Sequence, residues 1–348
     1  MSRFAQGLAA LRRRSARPRL SLALQGGGAH GAFTWGVVDR LLDSFSISAV
    51  TGTSAGAVNA VCLASGLARG GPDEARRTLE AVWTAVADTA GVRWLVHGPD
   101  DNPSLTPLAR AAMQLTRTMS PSQLNPLDHD PLRDVLARHV DFEVLRGQQA
   151  PMVTLAATNA RTGRLRLFSN DELSVETVLA SACLPSVHKA VEIDGQPYWD
   201  GGFSANPPLL PLLDGPADDA LAVLICPIDH RSTPRRAVEI RDRQAEFAFT
   251  TAFLRESELL AAATARARAS SPLRRGDLER RLARMRWHLL DADHALASVS
   301  SQTRMIPHRP FLESLRLKGV AAADLWIQTH ANQVGRASTA DLAALGPA

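Results

Sequence analysis

The chain has 348 residues, of which 45% are hydrophobic and 21% charged, an ordinary globular composition that excludes a disordered or fibrous chain. Its formal charge is +4, yet residues 21–227 hold 14 bases against 22 acids while residues 228–319 hold 18 bases against 11 acids. A split of this kind argues against a uniformly basic nucleic-acid binder.

Residues 1–19 read as a basic, flexible tail, with six Arg and no acid among residues 1–20. No apolar h-region follows Arg12–Arg14 and Arg17 before the polar Gln25–Gly28 segment, so a secretory signal is not expected there. Leu20–Leu24 reads as a buried strand that ends at a glycine cluster. Residues 30–43 follow with helical spacing, Ile47–Val50 forms a second strand, and Ala55–Leu67 a buried helix. A further helix is expected over 73–90, then a loop-rich stretch over 97–131 with a short helix around 107–117. Residues 151–158 and 164–168 read as strands, Glu176–Ala182 as a short helix, and Leu221–Cys226 as a third strong strand. Strands alternating with helices predict a mostly parallel sheet covered on both faces. Beyond residue 228 the pattern turns helical: one long helix over 234–269, a candidate linker at 271–276, and two short helices around Gly319 within 309–336.

No run reaches the ~18–20 apolar residues of a membrane span. Cys62, Cys183 and Cys226 sit in apolar settings with no metal-site spacing, so buried free thiols are expected, with no metal and no cofactor.

Gln25–Gly31 reads QGGGAHG, and Gly26, Gly28 and Gly31 satisfy G-x-G-x-x-G between a strand and a helix. A dinucleotide site would need an acidic residue at the end of the second strand, about 20 residues on. That strand ends instead in Thr51–Gly52–Thr53–Ser54. What survives is a turn with bare backbone N–H groups at a helix N-terminus, suited to an anion or to the oxyanion of acyl transfer. A tight turn needing positive φ is the plainer alternative.

Gly52–Thr53–Ser54–Ala55–Gly56 is G-x-S-x-G, set between an apolar strand and a small-residue helix as a nucleophile elbow requires. An N-cap serine with flanking glycines is the competing reading. A serine nucleophile needs a base. Chain order alone permits His230, His288, His294, His308 or His330 after Asp200, but none has a local signal of its own. Asp200 does, in Tyr198–Trp199–Asp200–Gly201–Gly202, although Asp followed by Gly-Gly also reads as a turn.

The glycine loop, G-x-S-x-G and D-G-G, in this order, make the chain resemble the patatin-like phospholipase family. Ala180–Pro185 and Asn206–Pro207 add to the likeness, which covers residues 20–227. The resemblance implies a three-layer α/β/α sandwich with a mostly parallel central sheet, followed by a helical extension over 228–348. It implies a Ser–Asp dyad without histidine: Ser54 as nucleophile, Asp200 as base, and Gly26, Gly27 and Gly28 as the oxyanion hole. Gly52, Gly56, Gly201 and Gly202 would shape these turns. The family usually has Arg or Lys after the glycine run. Here His30 holds that place, and a neutral imidazole supplies less positive field.

The expected activity is hydrolysis of fatty-acyl esters of phospholipid or a related lipid, in the cytoplasm. The alternative is a catalytically silent lipid-binding or regulatory protein on the same fold. The basic C-terminal region, with Phe247, Phe249, Phe253, Phe311, Trp287 and Trp326, reads either as a helical layer on the core or self-association surface, or as a surface meeting anionic membrane.

Overall fold

A computed structural model of the chain describes residues 17–89, 95–116, 119–230 and 232–345. The expected basic tail lies almost wholly outside the described residues. The central sheet is built from β1 (Arg19–Leu24), β2 (Ser46–Gly52), β5 (Met152–Asn159), β6 (Leu165–Ser169), β7 (Val191–Ile193), β8 (Gln196–Asp200), β9 (Asp219–Leu224) and β10 (Arg286–Asp291). A separate two-stranded ribbon joins β3 (Val96–His97) to β4 (Ser104–Leu105). In the main sheet the order is β10-β9-β1-β2-β5-β8-β7, with β6 also on β5. The pairings from β10 to β5 are parallel, and those of β6, β7 and β8 are antiparallel.

The parallel strands are buried on both faces, which is why they read as unbroken apolar runs. Their side chains still divide by the two-residue period of a strand. Leu20, Leu22 and Leu24 of β1, with Leu221 and Val223 of β9, enter one core. Ala23, Ala220, Ala222 and Leu224 enter the other. The first core is covered by α1 (Gly31–Leu41), α2 (Ala55–Gly70) and α3 (Pro72–Thr89). Then come α4 (Pro107–Thr116), α5 (Pro131–His139) and α6 (Val175–Ser181). The second core is covered by α7 (Ala237–Ala269), which buries Phe253, Leu260 and Ala267, seven residues apart on one stripe. The result is a three-layer α/β/α sandwich. Among the described residues no helix is long and apolar enough to cross a membrane.

The C-terminal region is mostly helical, but it belongs to the same sheet and cores. After α8 (Asp277–Arg284), β10 adds a parallel strand beside β9. The final α9 (Arg309–His330) packs on α1 and sends Phe311, Leu312, Leu315 and Trp326 into the first core. The sequence predicts two helices broken at Gly319; the structure has one continuous helix. Its glycine serves a close crossing, since a Cβ at Gly319 would sit 2.0 Å from the Phe33 carbonyl oxygen. Gly36 answers from α1, where a Cβ would sit 1.9 Å from the Arg316 carbonyl oxygen.

Two further elements differ from expectation. β10 escapes the apolar-run criterion because it carries Arg286 and His288, whose polarity is absorbed by Asp219 of β9 at 2.7 and 3.1 Å. The β7–β8 hairpin turns at Asp194–Gly195, both at positive φ. Asp-Gly between alternating strands is a recognised hairpin signal. Of the aromatics considered for a membrane surface, Phe253, Phe311, Trp287 and Trp326 are buried in the cores and Phe247 is half exposed. The expected linker is an exposed stretch with one 3-10 turn, Pro272–Arg274, between α7 and α8.

Candidate active site

The glycine loop is held open by buried polar anchors. Gln25, directly after β1, accepts from the Ile225 and Cys226 N–H groups at 2.7 and 2.8 Å. Asn206 Oδ1 accepts from the Gly26 N–H at 2.7 Å, and Asn206 Nδ2 donates to the Gly26 carbonyl at 3.4 Å. Gly26 is therefore not a free oxyanion donor, contrary to expectation, because its N–H is spent on fixing the loop. The Gly27 and Gly28 N–H groups donate to nothing among the described residues. Gly28 adopts φ +60, and a Cβ there would sit 2.3 Å from the Arg304 carbonyl oxygen. A Cβ on Gly26 would sit 2.6 Å from Ser54 Cβ, so the loop lies directly against the serine.

Ser54 occupies the turn from β2 into α2 at φ 55, ψ −123. This conformation is rare for a residue with a side chain and costs on the order of 1–3 kcal/mol. It is enforced by crowding: a Cβ on Gly56 would sit 2.0 Å from the Leu24 carbonyl oxygen, and one on Gly52 2.4 Å from the Gly56 carbonyl oxygen. Ser54 stands at the N-cap of α2, yet its hydroxyl makes no capping bond. The N-cap reading of the serine therefore fails, and Oγ is left for other chemistry. The Ser54 N–H donates to Ser181 Oγ at 3.0 Å, tying the elbow to α6.

Asp200 ends β8, where it pairs with Ala157 of β5. It is fully buried. Oδ1 accepts from the Gly202 N–H at 2.7 Å, and Oδ2 has no hydrogen bond of good geometry. Burial pushes the carboxyl pKa up to about 7, against the opposing pull of the Gly202 N–H and the nearby Ser54 hydroxyl. Gly201 and Gly202 are not a hairpin turn; they open a 3-10 turn packed on β5, where a Cβ at Gly201 would sit 2.2 Å from the Ala156 carbonyl oxygen.

The histidines stand apart. None of His230, His288, His294, His308 and His330 lines the cavity that holds Ser54. His30 is buried and turned away from it. Its Nε2 pairs with Thr303 Oγ1 at 2.7 Å and its ring meets Phe311 edge-on. Burial, then the charges of Arg304 and Lys318, push its pKa down to about 3, so the imidazole is neutral.

Ser54, Asp200 and the three glycines share a cavity of about 560 Å³. Val58, Trp83, Val86, Leu132 and Leu184 give it an apolar wall. The facing wall comes from beyond residue 228: Arg241, Glu246 and Phe249 of α7, with Arg304 and Met305. Of these, sequence reasoning singled out only Phe249, and as a surface aromatic; Arg241, Glu246, Arg304 and Met305 belong to no motif. It also missed the anchoring roles of Gln25 and Asn206, although both adjoin segments it singled out. All three cysteines are buried and free. No cluster of three or more His, Cys, Asp or Glu among the described residues is arranged to hold a metal ion.

Against known proteins, the family model described as patatin-like phospholipase matches residues 22–213. A search of curated proteins found no match. Among solved structures the chain is similar to VipD from Legionella pneumophila, at 15% identity and a TM-score of 0.42, over 90% of this chain and 67% of that one. It is also similar to the ExoU–SpcU complex from the type III secretion system of Pseudomonas aeruginosa, at 18% identity and a TM-score of 0.32, over 95% of this chain and 74% of that one.

Proposed function

This chain belongs to the patatin-like phospholipase family, and from that membership we infer that it is a serine acyl hydrolase acting on fatty-acyl esters of phospholipids or related lipids through Ser54 and Asp200. One observation carries the reading: a strained serine whose hydroxyl makes no capping bond shares a cavity with a fully buried carboxyl whose Oδ2 has no well-formed hydrogen bond among the described residues.

Asp200 takes the Ser54 proton as Oγ attacks the ester carbonyl carbon. The electron pair of the carbonyl moves onto its oxygen, and the Gly27 and Gly28 N–H groups receive that oxyanion. Collapse breaks the bond to the leaving alcohol, which departs with the proton held by Asp200. Water then attacks the acyl carbon with Asp200 again taking the proton; the bond to Ser54 Oγ breaks as Asp200 returns that proton to Oγ, and the fatty acid is released. Burial supports this role, because a pKa of about 7 makes a far better base near neutral pH than an ordinary carboxylate. The apolar wall suits an acyl chain.

The test is labelling by a fluorophosphonate probe together with hydrolysis of a short-chain nitrophenyl ester. The wild type should react in both and Ser54→Ala in neither, while Asp200→Asn should lose at least about a hundredfold in ester turnover. A wild type that resists the probe and cleaves no ester would support the silent lipid-binding reading instead.

A further inference from the structure

The wall of the cavity contributed from beyond residue 228 is charged but balanced, with Arg241 and Arg304 against Asp242 and Glu246. Outside the Ser54–Asp200 pair, the charged lining residues are Arg110, Arg241 and Arg304 against Asp242 and Glu246. Arg304 is the arginine held closest to the glycine loop. Its carbonyl oxygen fills the space a Gly28 side chain would need, and the neighbouring Thr303 is bonded to His30, just after the loop. The 303–304 segment is thus fixed directly against the N–H groups offered to the oxyanion.

The Arg304 side chain is only partly satisfied. One Nη reaches Glu246 at 3.2 Å, while its buried Nε has no partner among the described residues. Glu246 is itself shared with Arg243 at 3.6 Å and with His230 at 3.5 Å. Arg304 therefore shares its one carboxylate with a second guanidinium. The positive field of Arg304 reaches Cys226 and His30, both on the glycine-loop side of the cavity. A guanidinium with an unpartnered donor and only a shared carboxylate, lining a cavity beside the glycine loop, is a site for anionic oxygen.

We propose that Arg304 is a specificity-determining residue that holds an anionic oxygen group of the substrate, such as a phosphodiester, close to the scissile ester. The proposal rests on the acyl-hydrolase reading and adds to it the residue that selects among lipid esters. That residue lies outside the span matched by the family model. Glu246 opposes it, holding the guanidinium in place while competing with the substrate for it.

The experiment compares lysophosphatidylglycerol with a monoacylglycerol of the same acyl chain, which lacks the phosphate. The wild type should favour the anionic lipid in kcat/KM. Arg304→Met should lower the anionic-to-neutral ratio about tenfold or more, the scale of one charge-assisted hydrogen bond. Arg304→Lys should keep part of the preference, and Glu246→Gln should raise it. An unchanged ratio in Arg304→Met overturns the proposal. An equal loss on both lipids also overturns it, because it assigns Arg304 to the oxyanion or to folding. If the wild type cleaves neither lipid, the hydrolase reading itself fails. Calorimetric binding of both lipids to Ser54→Ala, with and without Arg304→Met, still decides the role of Arg304 in that case: a tenfold shift in relative affinity supports it, and no shift overturns it.

Discussion

Replacing Asp200 by Asn should stabilise the fold, and more so at pH 8.5 than at pH 5. The carboxyl is fully buried, and burial pushes its pKa from 3.8 to about 7. The folded protein therefore holds this proton more tightly than the unfolded chain does. Below pH 3.8 both states are protonated and no penalty exists. Between 3.8 and about 7 the unfolded chain ionises first, so stability falls as pH rises. Above about 7 the whole penalty stands. At about 1.36 kcal/mol per pH unit, that span amounts to about 4 kcal/mol. Asn has the same shape, can still accept from the Gly202 N–H, and never ionises. Its advantage over the wild type should grow by about 2–3 kcal/mol between pH 5 and pH 8.5. Urea unfolding of both proteins at the two pH values measures this difference. An advantage that does not widen with pH would refute the argument, since Asp200 would then ionise without cost. The same carboxyl should set the activity profile of the wild type. As the base, it makes kcat/KM climb about tenfold per pH unit below about 7 and level off above it.

Alanine at Gly319 or Gly36 should lower stability by about 1–3 kcal/mol or more, because each Cβ meets backbone at the α1–α9 crossing; a melting temperature equal to wild type would mean that the helices separate freely. Ending the chain at residue 227 should yield insoluble or unfolded protein, because it strips β10 from β9 and removes α7 and α9 from the two cores. A soluble truncated protein with a cooperative melt would contradict that expectation.

The part of the site that was legible in the sequence is the part that backbone geometry dictates. A serine forced to φ 55 needs glycines on both sides, and those glycines leave a pattern in the chain. A glycine loop lying against that serine leaves another. The base was legible through Gly201, which lets β5 come close, and Gly202, which leaves room for the Phe249 ring of α7. Residues that act by side chain alone leave no such trace. Arg304 and Glu246 meet across 58 positions of sequence, and nothing local marks either one. Gly26 illustrates the converse limit. Its place in the loop was readable, but the engagement of its N–H depends on Asn206, 180 residues away. In β10 the local polarity of Arg286 and His288 hid a strand, because their partner, Asp219, lies on the neighbouring strand. Gly319 was read as a helix break when the demand on it came from α1.

The charge split has the same origin in contacts distant along the chain. Arg281 of α8 donates to the carbonyls of Leu212, Leu213, Gly215 and Ala217 and pairs with Asp218. Arg286 pairs with Asp219, Arg316 reaches Asp39 at 3.4 Å, and Arg309 reaches Asp88 at 3.8 Å. Each of these pairs sets a base from the C-terminal region against an acid from the segment that bears the motifs. The exposed pair Arg309–Asp88 contributes about 0–1 kcal/mol at most, and the layers are held together chiefly by the two apolar cores. What the pairs do is cancel charge. Much of the basic excess after residue 228 is thus spent inside the molecule, and its four core aromatics are spent there too. The arginine that matters for a lipid ester is therefore to be sought where cancellation is incomplete. Arg304 meets that condition at its own side chain, which shares Glu246 with Arg243 and has a buried Nε with no partner among the described residues.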